Sequence, residues 1–199
     1  MYKALLKITR MAIPVQDKGG EFEVCPAGNF AGHVSSVIYL GTVKEEYQGV
    51  TSEKPQIRLA FELNKKRADG TPFMLSTFSM TASMNKKAGF RKLAQGIVTL
   101  TPETEKNFDA ENLIGKPTMV NVIHKPGKDG AVFANIAGCS PIPEGMPVTP
   151  PTTEPFVFNI VTSPLADIGK LNDKLQEVVK TTPEYKSRIT AGETDPTEM

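Results

Sequence analysis

Basic and aromatic side chains interleave through the middle of this 199-residue chain. Tyr39, Tyr47, Lys54, Arg58, Lys65, Lys66, Arg67, Phe78, Lys86, Lys87, Arg91, Lys125 and Phe133 are the ones whose types and spacing could do chemistry together. Cations follow phosphates, and flat rings accept unstacked bases at about 1–3 kcal/mol per base with little regard to sequence. That chemistry is a grip on single-stranded nucleic acid.

Other chemistries find no seat. His33 and His124 stand far apart, with no cysteine at metal-ligand spacing, so each reads as a satisfied or surface histidine and no metal site is expected. The serines at 35, 36, 76, 79 and 83 fall in strands or at strand ends without a GxSxG elbow. There is no GxxxxGKS/T loop and no GxGxxG, so no nucleotide cofactor is expected. The carboxylates of Glu45-Glu46 and of Asp109 with Glu111 sit beside turn and helix signals, where capping and solvation account for them. No catalytic residue is assigned, and the chain reads as a non-enzyme.

The net charge of +1 conceals a gradient. Residues 44–92 carry ten basic and five acidic groups, whereas residues 131–199 carry five and nine. A basic middle with an acidic end suits a polyanion-binding body with a shielding or recruiting tail. Cys25 and Cys139 are lone thiols outside any CxxC pattern, which suits a reducing cytoplasm. The N-terminal residues lack a long apolar stretch and a cleavage site, so no signal peptide is read, and no apolar run approaches the roughly 18 residues of a membrane span. The expectation is a soluble, cytoplasmic protein.

The elements that would position these groups are mainly strands. A short first strand is expected over Ala4 to Met11, with a break at Gly19-Gly20. Phe30 to Val43 reads as β with a bulge near Ser35-Ser36. Gln56 to Leu63 alternates cleanly, with Ile57, Leu59, Phe61 and Leu63 on one face and Arg58, Ala60 and Glu62 on the other. If the apolar set fills a core, Arg58 points out into a groove. Asn64 to Pro72 makes a hairpin loop that puts Lys65, Lys66 and Arg67 at its tip, and Phe73 to Thr81 returns. The parity of that return strand is open between Phe73 and Phe78; Phe78 is favoured as the outward ring.

A helix capped by Asn85 follows, with Phe90, Leu93, Ala94 and Ile97 at helical spacing and Lys86, Lys87, Arg91 and Lys92 along its other side. A shorter turn covers Asp109 to Ile114 and stops at Gly115. Strands over Pro117 to Lys125 and Ala131 to Cys139 are joined by an Asp129-Gly130 turn. Six prolines over residues 141–155 make a stiff linker, beyond which an amphipathic helix is expected near residues 163–181, with Leu165, Ile168, Leu171, Leu175 and Val178 as its stripe. The last ten residues read as disordered. The order β–β–β, helix, β–β is that of a five-stranded OB-fold barrel with its helix between strands three and four. Residues 1–140 would be the binding domain and residues 141–199 a Pro-rich linker, C-terminal helix and acidic tail.

Several stretches look familiar in order and spacing. They include Cys25-Pro26-Ala27-Gly28-Asn29-Phe30, Leu40-Gly41-Thr42-Val43, Leu59-Ala60-Phe61-Glu62-Leu63 and Phe78-Ser79-Met80. Later come Asn112-Leu113-Ile114-Gly115-Lys116-Pro117, Val120 to Lys125, Phe133-Ala134-Asn135-Ile136 and Ser140 to Met146. With Leu175-Gln176-Glu177 and Pro183-Glu184-Tyr185, the chain resembles phage-encoded single-stranded DNA-binding proteins with an OB-fold over about residues 25 to 187. It departs from them in lacking Trp, and from the bacterial housekeeping proteins in lacking an acidic tip ending in Phe. The resemblance implies coating of exposed strands during replication or recombination in an infected bacterial cell, with Tyr47, Phe78 and the basic helix in the groove. Alternatives are a protein-interaction module that recruits phage or host replication factors through its C-terminal helix, with self-association as one partner mode, or a DNA-annealing, duplex-binding protein.

Overall fold

The computed structural model describes residues 23–47, 49–127 and 130–198. The expected first strand over Ala4 to Met11, the Gly19-Gly20 break and Asp129 of the second hairpin turn lie outside the described residues. The chain is mainly β. A seven-stranded sheet runs β3-β2-β1-β5-β6, with a short strand β4 on β2 and a late strand β7 on β1. The strands are β1 (Gly28–Tyr47), β2 (Val50–Lys66), β3 (Pro72–Ser76), β4 (Met80–Thr81), β5 (Pro117–Pro126), β6 (Val132–Ser140) and β7 (Phe156–Asn159).

The long first strand organises everything else. One edge pairs antiparallel with β2 from Gly32 to Tyr47. The other edge pairs with β5 over Gly28 to His33 and then, past Ser35, with β7 in parallel over Ser36 to Tyr39. The change of partner coincides with the first register shift, between Val34 and Ser36, where the sequence places its bulge. A second shift lies between Tyr39 and Gly41, and Gly41 adopts φ +89°, a left-handed conformation that favours glycine.

Two cores result. The first holds Val34, Val37, Ile57, Leu59, Phe61, Leu63 and Phe73, closed by Phe90 and Ala94 of α1 (Gly89–Ile97). The expected inward set of β2 is thus fully buried, and Phe73 is core. Phe90 also meets Phe108 edge-on at 6.0 Å.

The second core lies between β1 and the C-terminal segment, where Leu40, Phe158, Ile160, Leu165, Ile168, Leu171 and Leu175 pack together. Leu165, Ile168, Leu171 and Leu175 of the stripe expected on one long helix are buried, with Val179 buried where Val178 was expected, but the helix is not continuous. A 3-10 turn over Leu165–Lys170 is followed by α3 (Asp173–Thr181) and α4 (Pro183–Thr190). Asn172 is the reason for the break: its Oδ1 accepts from the Leu175 amide and starts α3 afresh. Pro183 at the first position of α4 does the same after Thr182. Each buried aliphatic contributes about 1.5–3 kcal/mol, so the segment's own sheet is the surface that covers this stripe.

Three expectations are corrected here. The five-stranded barrel does not close: β3 and β6 end the path without a ladder between them, and the sheet carries seven strands. The basic helix begins at Gly89, because the Asn85 side chain closes a turn by accepting from the Lys87 amide at 3.0 Å. The last ten residues, expected to be disordered, are tied down at one point: Asp195 is buried, accepts from the Tyr185 hydroxyl at 3.0 Å and lies 3.6 Å from Lys180 Nζ, while residues 190–194, 196 and 197 are exposed. Polar composition missed this because a single carboxylate with donors is enough to seat the tail. A short helix α2 (Pro102–Lys106), capped by Thr101, is an addition to the expected elements, and the turn read over Asp109 to Ile114 is a 3-10 helix over Ala110–Leu113.

Candidate nucleic-acid interface

The sheet presents two kinds of outer surface, and the expected site residues divide between them. On the first, the side chains of β1, β2 and β3 that point away from the core stand in register: Ile38 faces Arg58, Ser36 faces Ala60, His33 faces Glu62, and Ser76 and Met74 continue on β3. This is the face on which Arg58 was expected to meet solvent. Residues 152–156 and 170–175 roof it instead.

The roof is fastened at Glu62. Its Oε1 accepts from the Thr152 amide at 2.7 Å and the Thr152 hydroxyl at 2.9 Å, and its Oε2 accepts from the Thr153 amide at 2.7 Å. Burial pushes this carboxyl up, but the hydrogen bonds from Thr153 and Thr152 outweigh it and hold the group below the usual range. Beside it His33 is buried, and loss of solvent lowers its pKa against the pull of Glu62. A second fastening lies on β1, where the Thr42 amide and hydroxyl both donate to the Glu184 carboxylate. A Cβ at Gly41 would meet Glu184 Oε2 at 2.8 Å, so a side chain there would crowd the Glu184 carboxylate at its contact with Thr42.

Beneath the roof is a cleft of about 740 Å³ lined by Arg58, Ser35, Ser36, Ser76, Phe156 and Asn172 among others. Arg58 is half-buried, and burial lowers its pKa with no carboxylate acting in the other direction.

The second surface is open. Thr77 creates it: its amide donates to the Leu59 carbonyl at 2.8 Å, and its hydroxyl accepts from the Leu59 amide at 3.1 Å. The side chain takes over one ladder position, so the return strand breaks between β3 and β4. Phe78 steps out of the sheet there, 72% exposed. It lines a groove of about 290 Å³ with Lys92 and Leu93 of α1 and Ile136 to Cys139 of β6. Lys86 and Lys87, both exposed, stand on the turn just before Gly89, which also lines the groove.

At the far end of β6, Lys125 and Phe133 are cross-strand partners and emerge on the same side. Phe133 is 56% exposed, and its ring lies so close to Gly127 that any side chain there would collide with it. The Glu23–Pro26 segment brings the other hairpin to this end. Glu23 accepts from the Ala68 amide at 2.9 Å, while the Cys25 carbonyl meets His124 Nε2 at 2.8 Å. Lys65 and Lys66 project from that hairpin into solvent, and Arg67 folds back over the Phe73 ring at 5.3 Å. About 17 Å of β6 separates Phe133 from Gly138 in the groove.

Arg91, Lys54 and Tyr39 are engaged elsewhere, and of Tyr47 only the backbone is described. Arg91 is ion-paired with Glu105 and donates to Gln95 at 3.1 Å, so it braces α1 against α2. Lys54 lies 4.0 Å from Glu45, an exposed pair of little weight. Tyr39 is half-buried against the second core, and burial raises its pKa. Tyr47 ends β1 opposite Val50, at a tight turn through Gly49 at φ +76°.

The structure therefore places Phe78 with Lys92 in the open groove and Lys125 with Phe133 at the far end of β6, leaves Lys65, Lys66, Lys86 and Lys87 exposed, and separates Arg58 under the roof. Sequence reading missed Ser35, Phe156 and Asn172 as neighbours of Arg58; the Ser35-Ser36 bulge was the available signal for the first.

Among the described residues no helix is long and apolar enough to cross a membrane, and no group of three or more His, Cys, Asp or Glu is placed to hold a metal ion. Cys139 is half-buried, and loss of solvent pushes its thiol up to about 12. Neither the protein-family models nor the curated proteins contain a match to this chain.

Proposed function

We propose that the protein binds single-stranded DNA without catalysis and with little sequence preference, along the open rim from the Phe78 groove to the Lys125–Phe133 hairpin. One observation carries the reading: Phe78 is held out of the sheet by the Thr77–Leu59 bonds and left 72% exposed beside Lys92. Burying a Phe contributes about 1.5–3 kcal/mol, so a ring forgone by the core and set among lysines suits a base-stacking platform. Lys65, Lys66, Lys86, Lys87, Lys92 and Lys125 are exposed and make no ion pair among the described residues, which leaves them for phosphates.

The strand path, with β1 shared between β2 and β5 and α1 lying between β3 and β5, supports an OB-type arrangement as part of this reading. Together with the resemblance to phage single-stranded DNA-binding proteins, it suggests protection of exposed strands during phage replication or recombination.

Titration with oligo-dT at several salt concentrations tests the proposal. With about five phosphates neutralised, log K falls against log salt with slope near −3.5, at about −0.7 per phosphate. Phe78→Ala weakens binding by about 1–3 kcal/mol and leaves stability within about 0.5 kcal/mol. A salt-independent affinity, or an unchanged affinity in Phe78→Ala, overturns the assignment.

A further inference from the structure

Glycines on facing elements describe the shape of the groove beside Phe78. At Gly96, near the end of α1, a Cβ would lie 2.1 Å from the Cys139 carbonyl oxygen, so helix and strand touch there. The buried Thr118 hydroxyl ties that end together, within hydrogen-bond reach of the Gly96 and Ser140 carbonyls at 3.1 and 2.9 Å. At Gly138, one residue earlier on β6, and at Gly89, where α1 begins, a Cβ would meet no atom within 4 Å. Both of these glycines line the groove. Helix and strand therefore diverge from Gly96 toward Gly89 as a wedge. The exposed Phe78 and Lys92 are outermost in it, and the half-buried Leu93 and Ile136 innermost.

Nothing within the protein requires glycine at position 138. Its φ is not in the left-handed region and no neighbouring atom crowds it, yet glycine weakens the interior of a strand. A glycine in that setting marks a place where a ligand comes close to the backbone. The strand is also bulged there: Gly138 pairs with Asn121 and Ile136 with Val122, which leaves Ala137 extra and exposed. β6 ends the sheet path, so the backbone groups on its outer edge have no ladder partner. The groove of about 290 Å³ is at the small end of the range for small-molecule sites, about 300–1,000 Å³, and suits one flat heterocycle.

We propose that the groove takes one unpaired base edge-first, against the Phe78 ring and over Gly138, and that this insertion makes the protein select single strands. The inference rests on the strand-binding reading and deepens it. A base in a duplex cannot enter the wedge without leaving its pair, whereas the phosphates that Lys92 would meet are common to both forms.

Binding of the full chain to oligo-dT, to the same sugar-phosphate backbone without bases, and to a duplex of equal length tests it, at several salt concentrations. Wild type should prefer oligo-dT to the abasic strand and to the duplex by about tenfold or more. Gly138→Leu fills the groove without crowding the protein and should lose most of that preference. It should keep the urea midpoint, the abasic affinity and the salt slope, since phosphate contacts set the slope; a merely structural role for Gly138 would move the first two. Should Gly138→Leu fail to fold, Gly89→Leu fills the same groove from α1 and decides the matter. Oligo-dT affinity unchanged in the folded variant overturns the proposal. So does a duplex bound as tightly as oligo-dT, which marks a duplex-binding protein. If Phe78→Ala weakens oligo-dT binding and Gly138→Leu does not, bases stack on the exposed ring without entering, and only the insertion is lost. If oligo-dT binds without salt dependence, or Phe78→Ala changes nothing, the strand-binding reading falls and takes this inference with it.

Discussion

Arg58 and Lys125 are both cations that point away from the first core, yet they occupy opposite surroundings. Arg58 sits under a roof of chain added more than ninety residues later, half-buried and without a counter-charge. Lys125 stands in solvent beside the exposed Phe133 ring. The alternation of a strand states which side of the sheet a residue leaves by, but what waits on that side is decided elsewhere. On one surface the answer is the C-terminal segment, and on the other it is water.

The largest expected effect comes from loosening the roof. Ile168→Ala removes a fully buried side chain from the second core and should cost about 2–5 kcal/mol in urea unfolding. Oligo-dT affinity should hold, because the rim takes no residue from that core; a parallel loss of affinity breaks the distinction between the two surfaces.

A smaller effect isolates the fastening. Glu62→Ala strips the acceptor from Thr152 and Thr153 and should cost about 1–3 kcal/mol, with faster amide exchange at residues 152 and 153. The pH dependence has a definite sign. The folded Glu62 carboxyl lies below its unfolded value near about 4.3, so its contribution is complete above that pH and is lost as the pH falls through the folded value. Wild type should therefore lose roof protection on acidification while Glu62→Ala shows a flatter profile. Identical profiles would assign the acid sensitivity to Glu184 or Asp195, whose carboxyls are likewise held low.

The smallest effect sharpens the open side. Lys125→Ala should flatten the salt slope by about 0.7 and leave the urea midpoint within about 0.5 kcal/mol of wild type. An unchanged slope would move the strand away from the β5–β6 hairpin.

What the sequence made legible follows from how local each cause is. The inward set of β2, the bulge at Ser35-Ser36 and the outward Phe78 all derive from patterns a few residues long. The start of α1 was misread because Asn85 can cap a helix or close a turn with the same oxygen, and the turn won. The roof was illegible because it depends on β7 meeting β1, with Phe156 opposite Ser36 across 120 positions. Nothing in Phe156-Val157-Phe158 names that partner. The split of the return strand into β3 and β4 has a similar origin, since one Thr77 hydroxyl substitutes for a ladder bond to Leu59.

The parallel pairing of β7 on β1 also imposes an order on synthesis. Chain leaves the ribosome N-terminal part first, so β1, β2 and the helix that closes the first core are outside the exit tunnel while the partner of Ser36 to Tyr39 is still untranslated. For that interval Leu40 and Ile38 are bare to solvent, and Arg58 lacks its roof. Newly made and finished copies should accordingly differ in what they can capture.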